Sequence, residues 1–537
     1  MRSTYDSIVI GSGFGGAVSA FRLAQAGHSV ALFEQGKRFS KQDFPRTVAQ
    51  VGRAFFHPSD PRGFLEYRAF KNIDVIQGVG VGGGSLHYFN VNLRAPARVL
   101  DRWPKPLGRV CLDRYYGLAL ERLGSQPLTP PAGRSLPPRT QAFLAAARAL
   151  DAAPELAPIA VHSGPDRLNE SGIAQSACTY CGNCLLGCHV QAKNTLDITY
   201  IAAAERDHGL EVHPEHKVFA IRPAVDRGVG YYVDVVAPTE PGGPLEPTTI
   251  RLYAERVVVA AGTLGTNELL LRCRDQLKTL PKLSRRLGQG FSGNGDFLFA
   301  GALNTKLPVD PALGPSITAV ADFSSAEHAI HIEDLGLPDP FFWFLEGALP
   351  PSEGRVRAAF RSAVRYLMRS LRLGKAGSRL SDEVGALLRG GRTNYFLPYL
   401  GMGTDAADGE LRLRHDELDI RWSHRNSRGM FREMERAMRR LSEAKGADYV
   451  TSFLWRWPTR KLLTAHPLGG CSIGSSEHDG VVNHCGEVWN YPGLFVTDGA
   501  SVPSALSVNP SLTIAALAER AAFFMIHGRE RVASDPS

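Results

Sequence analysis

Apolar and polar positions follow several different periods along this chain, and each period predicts a different element. Ile8, Val9 and Ile10 form an unbroken apolar run, as in a parallel strand buried on both faces. Val18, Phe21 and Leu23 then recur in a helical pattern until Gly27 stops it. A second strand, Ser29 to Phe33, ends in Glu34. From Arg256, RVVVAAGTLGTNELLL repeats the theme: a valine strand, a small-residue turn, and a helix from about Gly265. Helical patterns cover 141–151 and about Thr195 to Arg206, and strands are expected near 216–223 and 230–237, flanking a proline- and glycine-rich turn at 238–247. Between about 317 and 455 the period shortens to two, and 329–333, 393–399 and 409–422 predict antiparallel strands, with turns at Asp408-Gly409 and His415-Asp416. The stretch NPSLTIAALAERAAFFMI predicts a helix opening at Asn509-Pro510, where proline suits the first turn. Residues 125–140 are proline-rich and polar and predict a surface crossing; no internal repeat is present.

Composition narrows the class. At 537 residues, 44% hydrophobic and 21% charged, the chain reads as an ordinary globular protein of more than one domain. The net charge of +8 is diffuse and no nucleic-acid motif accompanies it, so nucleic-acid binding is not expected. The charge suits an anionic membrane surface or an acidic partner. No signal peptide precedes the first strand and no apolar run is long enough to cross a bilayer, which predicts a cytoplasmic protein, soluble or membrane-peripheral.

The first strand runs into Gly11, Gly13 and Gly16, spaced G-x-G-x-x-G. Such glycines permit a tight turn and let a pyrophosphate approach the N-terminus of the following helix, where free N–H groups and the dipole favour anions. Glu34, at the end of the second strand, is placed to accept hydrogen bonds from an adenosine ribose. Strand, turn, helix, strand and acid in this order predict dinucleotide binding; a glycine-rich turn that only packs leaves the acid unexplained. A second glycine loop, Gly78, Gly80 and Gly82 to Gly84 in IQGVGVGGGSLHYFNVNL, would let backbone lie flat against a ligand ring.

Four of the eight cysteines, Cys178, Cys181, Cys184 and Cys188, follow C-x2-C-x2-C-x3-C. This is ferredoxin-like spacing, with His189 where ferredoxins carry proline. Three readings stay open: a three- or four-iron iron–sulfur cluster, tetrahedral zinc, or reduced thiols holding nothing. Cys111, Cys273, Cys471 and Cys485 read as structural.

Three separated stretches, YDSIVIGSGFGG, GVGVGGGSLHYFN and HPLGGCSIG…YPGLFVTDGASVPSALSVNPSLTIAALAER, together resemble the glucose-methanol-choline family of flavin oxidoreductases, and most of all its cholesterol-oxidase branch. The resemblance implies an α/β fold: a discontinuous, Rossmann-like FAD-binding domain and a substrate domain with an antiparallel sheet. On this chain the flavin domain is expected over 1–100, 190–316 and 461–530, the substrate domain over 101–175 and 317–460, with a cysteine insert at 176–190. It also implies FAD and oxidation of an alcohol. Carried over, Gly11, Gly13, Gly16 and Glu34 would hold the ADP half, and the backbone of Val218 would meet the adenine. Gly80, Gly83, Gly84, Ser85 and Asn90 would line the flavin; Ala261, Gly262, Asp498 and Gly499 would meet the pyrophosphate and ribityl chain. Asn509, Pro510 and Thr513 would sit near the isoalloxazine, and His466 with Asn509 would form the catalytic pair. His87 falls where several family members attach FAD covalently, and is otherwise a histidine packing near the ring. Glu333, in IHIEDLGLP, matches an active-site glutamate of cholesterol oxidases or is a solvated strand-end acid.

The residue chemistry agrees. An alcohol must lose its hydroxyl proton as its carbon gives up hydride, and an imidazole with a pKa near 6.5 is a suitable base at neutral pH. Asn509 can orient the hydroxyl without titrating, and the helix behind Pro510 points its positive end at the ring. Some bacterial sugar dehydrogenases of the family carry a cluster in a comparable cysteine insert; here it would pass electrons to a quinone, cytochrome or other carrier rather than to oxygen. Residues 341–372 combine an aromatic lead-in, Phe341 to Phe344, with Arg357, Arg361, Arg365 and Arg369 at four-residue spacing, a basic amphipathic helix that would rest on anionic lipid or cover the substrate domain. The leading expectation is an alcohol oxidoreductase for a sterol-like or other bulky apolar substrate. A sugar or polyol dehydrogenase, a flavin electron-transfer subunit without an alcohol substrate, and a nicotinamide dehydrogenase are the rivals.

Overall fold

Ile10, Phe33, Val259 and Val496 end side by side at one edge of a seven-stranded sheet. In this computed structural model, which describes residues 1–57, 61–131, 133–237, 249–342, 392–456 and 460–528 with 345, 346, 349 and 364, the strand order is Glu211–His213, Val30–Phe33, Thr4–Ile10, Thr249–Val259, Tyr231–Val236 and Lys217–Pro223. Leu494–Val496 pairs in parallel with the end of Thr249–Val259. The parallel strands carry Ile8, Val9, Leu32 and Val257 to Val259, all fully buried, as a sheet covered on both faces requires. Helix Phe14–Gln25 packs on one face against the buried helix Ser511–His527. A Cβ on Gly16 would lie 1.9 Å from the carbonyl oxygen of Gly11, so glycine is what lets this helix close on the strand.

The expected α/β architecture with an antiparallel sheet is present. A six-stranded antiparallel sheet runs Asp448–Val450, Phe297–Leu303, Leu397–Gly403, Ile330–Asp334, Ala319–Asp322 and Glu155–Leu156. The hairpin Gly409–Arg414 and Glu417–Arg421 belongs instead to a separate four-stranded sheet with Gln289–Ser292 and Leu468–Gly470. Helix Arg428–Ala444 follows the predicted strands, where no element was expected; it buries Met430, Phe431, Met434, Met438 and Leu441. Gly401 and Gly403 make room for it, since a Cβ on either would lie 2.4 Å from Met434 or Met430 sulfur.

Other boundaries move modestly. The helix expected at 141–151 is Pro138–Arg148, and that expected from Thr195 is a short turn at Leu196–Ile198 followed by Tyr200–His208. The helix after the valine strand begins at Gly262 rather than Gly265. Helix Arg109–Arg122 lies where no element was predicted. Leu462–Thr464 adds in parallel to Ile73–Gly78, which also pairs with Leu65–Ala69, and so places the segment before His466 beside the second glycine loop. The basic stretch 341–372 lies almost wholly outside the described residues, and none of the helices described is long and apolar enough to cross a membrane.

Gly16→Ala forces the helix off the strand. The expected loss is about 1–3 kcal/mol, as for other overpacked sites. It would be read from the denaturant midpoint, together with a lower flavin content on purification.

Candidate active site

The segments that leave the parallel strands, Gly11–Gly15, Phe33–Gln35, Ala260–Thr263 and Asp498–Gly499, line one long cleft outside the carboxyl ends of the sheet. The second glycine loop adds Gly83, Gly84 and His87, and His216 to Val218 wall the same cleft. At its other end stand Ala465 to Pro467, Asn509 and Pro510 with the apolar side chains of Leu298, Phe299, Leu337 and Leu463. Thus Gly11, Gly13, Glu34, Gly83, Gly84, His87, Val218, Ala261, Gly262, Asp498, Gly499, Pro510, His466 and Asn509 share one cavity.

This cleft fits a dinucleotide. Helices Phe14–Gln25, Gly262–Leu271 and Ser511–His527 open onto it; in none does the N-cap residue's own side chain cap the helix, and the Gly262 N–H goes to the Asp498 carboxylate. No atom lies within 4 Å of where a Cβ on Gly13 or Gly84 would sit. Burial raises the Asp498 carboxyl to about 6, against bonds from Thr266 Oγ1 at 2.5 Å and Ala500 N at 2.9 Å.

Glu34 has a role that the motif does not announce. Its carboxylate accepts from Ser12 N at 3.2 Å, Ser12 Oγ at 2.7 Å, Gly36 N at 3.0 Å and Gly80 N at 3.1 Å. The acid therefore ties the first glycine loop to the second. Burial alone pushes its pKa up, and these four bonds pull the other way.

Six expected residues stand behind the lining. Gly16 is a packing contact. Gly80 spends its N–H on Glu34, and Ser85 binds Gly82 O at 2.7 Å and Leu196 N at 3.0 Å. Thr513 Oγ1 meets Tyr116 Oη at 3.0 Å. Asn90 is buried with φ +71°, and neither end of its amide has a protein partner. Glu333 is fully buried beneath Asn509, whose Nδ2 donates to its Oε2 at 3.4 Å. It is therefore not a solvated strand-end acid, and burial holds its carboxyl well above the usual carboxylate range.

The reacting end depends on a residue that the sequence reading missed. His466 Nδ1 lies 2.9 Å from Asp296 Oδ1, and Asp296 is nearly solvent-free. The other oxygen, Oδ2, accepts from Thr464 Oγ1 at 2.9 Å and Ala465 N at 3.0 Å. A carboxylate there holds the proton on Nδ1 and leaves Nε2 as the basic nitrogen. Asp296 sits in a turn, Ser292–Asp296, that Asp405 clamps through Ser292 Oγ, Gly293 N and Gly295 N at 2.7–3.2 Å. No local motif marks either acid. Asn509 is held by its own loop, because Asn294 donates to Val508 O and accepts from Leu506 N and Ser507 N. His87 is buried nearby, and burial lowers it to about 3, so it is a neutral imidazole.

The four motif cysteines are unpaired and half-buried, and among the described residues no three of their sulfurs lie within 4.8 Å of one another. Backbone N–H groups of Tyr180 and Val190 face the sulfurs of Cys178 and Cys188. Lys193 Nζ donates to Leu86 O at 3.0 Å and Cys184 O at 2.9 Å, which ties the cysteine loop to the second glycine loop. Leu185 reaches the cleft.

Comparison with known proteins agrees with this geometry. Residues 5–273 and 405–518 match the N- and C-terminal models of the GMC oxidoreductases. The chain is 29% identical to a cholesterol oxidase of Acinetobacter baumannii, over 96% of this chain and 93% of that one. It is 24% identical to a long-chain-alcohol oxidase of Arabidopsis thaliana, over 95% of this chain and 65% of that one. The crystal structure of pyridoxine 4-oxidase from Mesorbium loti shares the fold, with a TM-score of 0.63 at 15% identity, covering 98% of this chain and 99% of that one. With a cleft built for a dinucleotide and a family match over half its length, the chain belongs to the GMC oxidoreductases, FAD-dependent enzymes acting on CH–OH donors.

Proposed function

We propose that this enzyme oxidises a bulky, apolar alcohol of sterol-like or long-chain type, with His466 as the base. The observation that carries the reading is the Asp296–His466 pair, which faces Asn509 in one cleft. FAD, when bound, supplies the hydride acceptor. Gly13, Gly84 and the N-termini of helices Phe14–Gln25 and Ser511–His527 would hold it.

The chain's own part is proton handling and orientation. Nε2 of His466 takes the hydroxyl proton, and Asp296 stabilises the imidazolium that results. One Nδ2 hydrogen of Asn509 goes to Glu333, and the other is available to the alcohol oxygen. Burial raises the Glu333 carboxyl well above the usual carboxylate range, which favours the neutral form as it fixes Asn509. Leu298, Phe299, Leu337 and Leu463 favour an apolar substrate body over a sugar. The relatives named for cholesterol and long-chain alcohols support the same class.

The cysteine loop enters this reading as a metal or iron–sulfur site. Support comes from the spacing and from the N–H groups aimed at Cys178 and Cys188. The charges of Arg46 and Lys193 nearby would balance a thiolate-rich centre. Binding would have to draw the sulfurs closer than the arrangement described.

Two outcomes are expected. His466→Ala and Asp296→Asn each lower kcat on the best alcohol by about 10²–10⁴-fold, with flavin content unchanged. A panel of sterols, alkanols and sugars measures this, and full turnover by His466→Ala would sink the assignment. Anaerobically purified protein carries stoichiometric iron with sulfide, or zinc, and loses it in Cys181→Ser; elemental analysis that finds no metal removes the site.

A further inference from the structure

Phe299 stands in strand Phe297–Leu303 with φ +65°, a conformation that a bulky side chain rarely adopts. The strand's register against Leu397–Gly403 breaks at this point: Leu298 faces Leu400, Ala300 faces Tyr399, and Phe299 is the extra residue between them. In a regular strand neighbouring side chains point to opposite faces, and Phe299 would share the face of Phe297. Phe297 is fully buried, with its ring on Phe431 and Trp455. The bulge turns Phe299 away from that core, so that Leu298 and Phe299, adjacent in sequence, both line the cleft beside His466 and Asn509. There its ring stacks on Phe453, with centroids 5.6 Å apart and planes at 29°. The turn Phe453–Trp455 thus supplies one aromatic partner on the core side of the strand and another on the cleft side.

A core phenylalanine has no need of a left-handed backbone, since the regular register would bury it. Bulges that re-aim a side chain gather beside active sites, where local strain persists because the site requires it. We propose that Phe299, backed by Phe453, is the specificity wall of the substrate end and sets the largest alcohol that can reach His466. The inference rests on the alcohol-oxidation reading for its substrate class, but the wall itself is a property of the cleft.

The test uses FAD-loaded enzyme and three probes: 1-butanol, 1-dodecanol and cholesterol. One or two methylenes in an apolar pocket discriminate about 10–200-fold. Phe299→Ala should therefore raise the cholesterol-to-butanol ratio of kcat/KM at least about tenfold, and Phe299→Trp should lower it. Phe453→Ala should move the ratio in the direction of Phe299→Ala. A merely structural role would change all three alcohols by one common factor, and that result overturns the proposal. Binding of the same alcohols, read from flavin absorbance, gives a ratio of Kd values that does not require turnover. Should wild-type enzyme bind but oxidise none of them, the alcohol reading falls while the Kd ratio still decides the wall. Phe299→Gly should melt above Phe299→Ala, because glycine takes φ +65° freely; the reverse order would also count against the wall.

Discussion

Two glycine-rich loops that lie 70 residues apart have to be held flat against one ligand, and the buried carboxylate of Glu34 does the holding. Four donors converge on it, from Ser12, Gly36 and Gly80. Ser12 extends the link by accepting from Gly82 N. Removing the carboxylate oxygens would leave buried N–H groups unpaired on both loops, which is costly for groups shut away from solvent. The parallel sheet makes this bond available. Because Ile10 and Phe33 end in register, Gly11 and Glu34 emerge side by side, and Val259 and Val496 deliver Ala261 and Asp498 to the same edge.

The reacting end follows a different logic. His466, Asn509, Asp296 and Glu333 come from four distant parts of the chain, and pairing of carboxyl groups with polar partners assembles them. Asp296 orients the imidazole and Glu333 orients the amide. The two acids differ in surroundings. Asp296 has three hydrogen-bonding partners, whereas Glu333 has the Asn509 amide at 3.4 Å on one oxygen and no partner on the other. Burial raises the Glu333 carboxyl well above the usual carboxylate range.

Long-range ties also join the cofactor and cysteine regions. Lys193 bridges Leu86 and Cys184, so the second glycine loop and the cysteine loop share one buried cation. Its ammonium also lies 4.8 Å over the ring of Tyr88, and burial lowers its pKa to about 8.

Local rules sufficed wherever one segment carried its own reason. The run Ile8 to Ile10, the glycine turn, the helix and Glu34 could be read in order because each is fixed by short-range sterics and by burial on both faces. The final helix at Asn509-Pro510 and the small-residue turn at Ala261 were legible for the same reason. Helix Arg428–Ala444 was missed although its methionines recur at helical spacing, because eight charged residues dilute the pattern and its neighbours are strands. Asp296 carried no local signal: its meaning arises only when Leu462–Thr464 docks on Ile73–Gly78 and brings His466 within reach. Likewise the turning of Phe299 into the cleft depends on a register break against a strand about a hundred residues away. Periodicity, glycine spacing and the family resemblance thus pointed to the cofactor's cradle and singled out His466. The pairing of His466 with Asp296, the burial of Glu333 and the turning of Phe299 into the cleft were decided by tertiary packing, since each depends on what non-local neighbours exclude or donate.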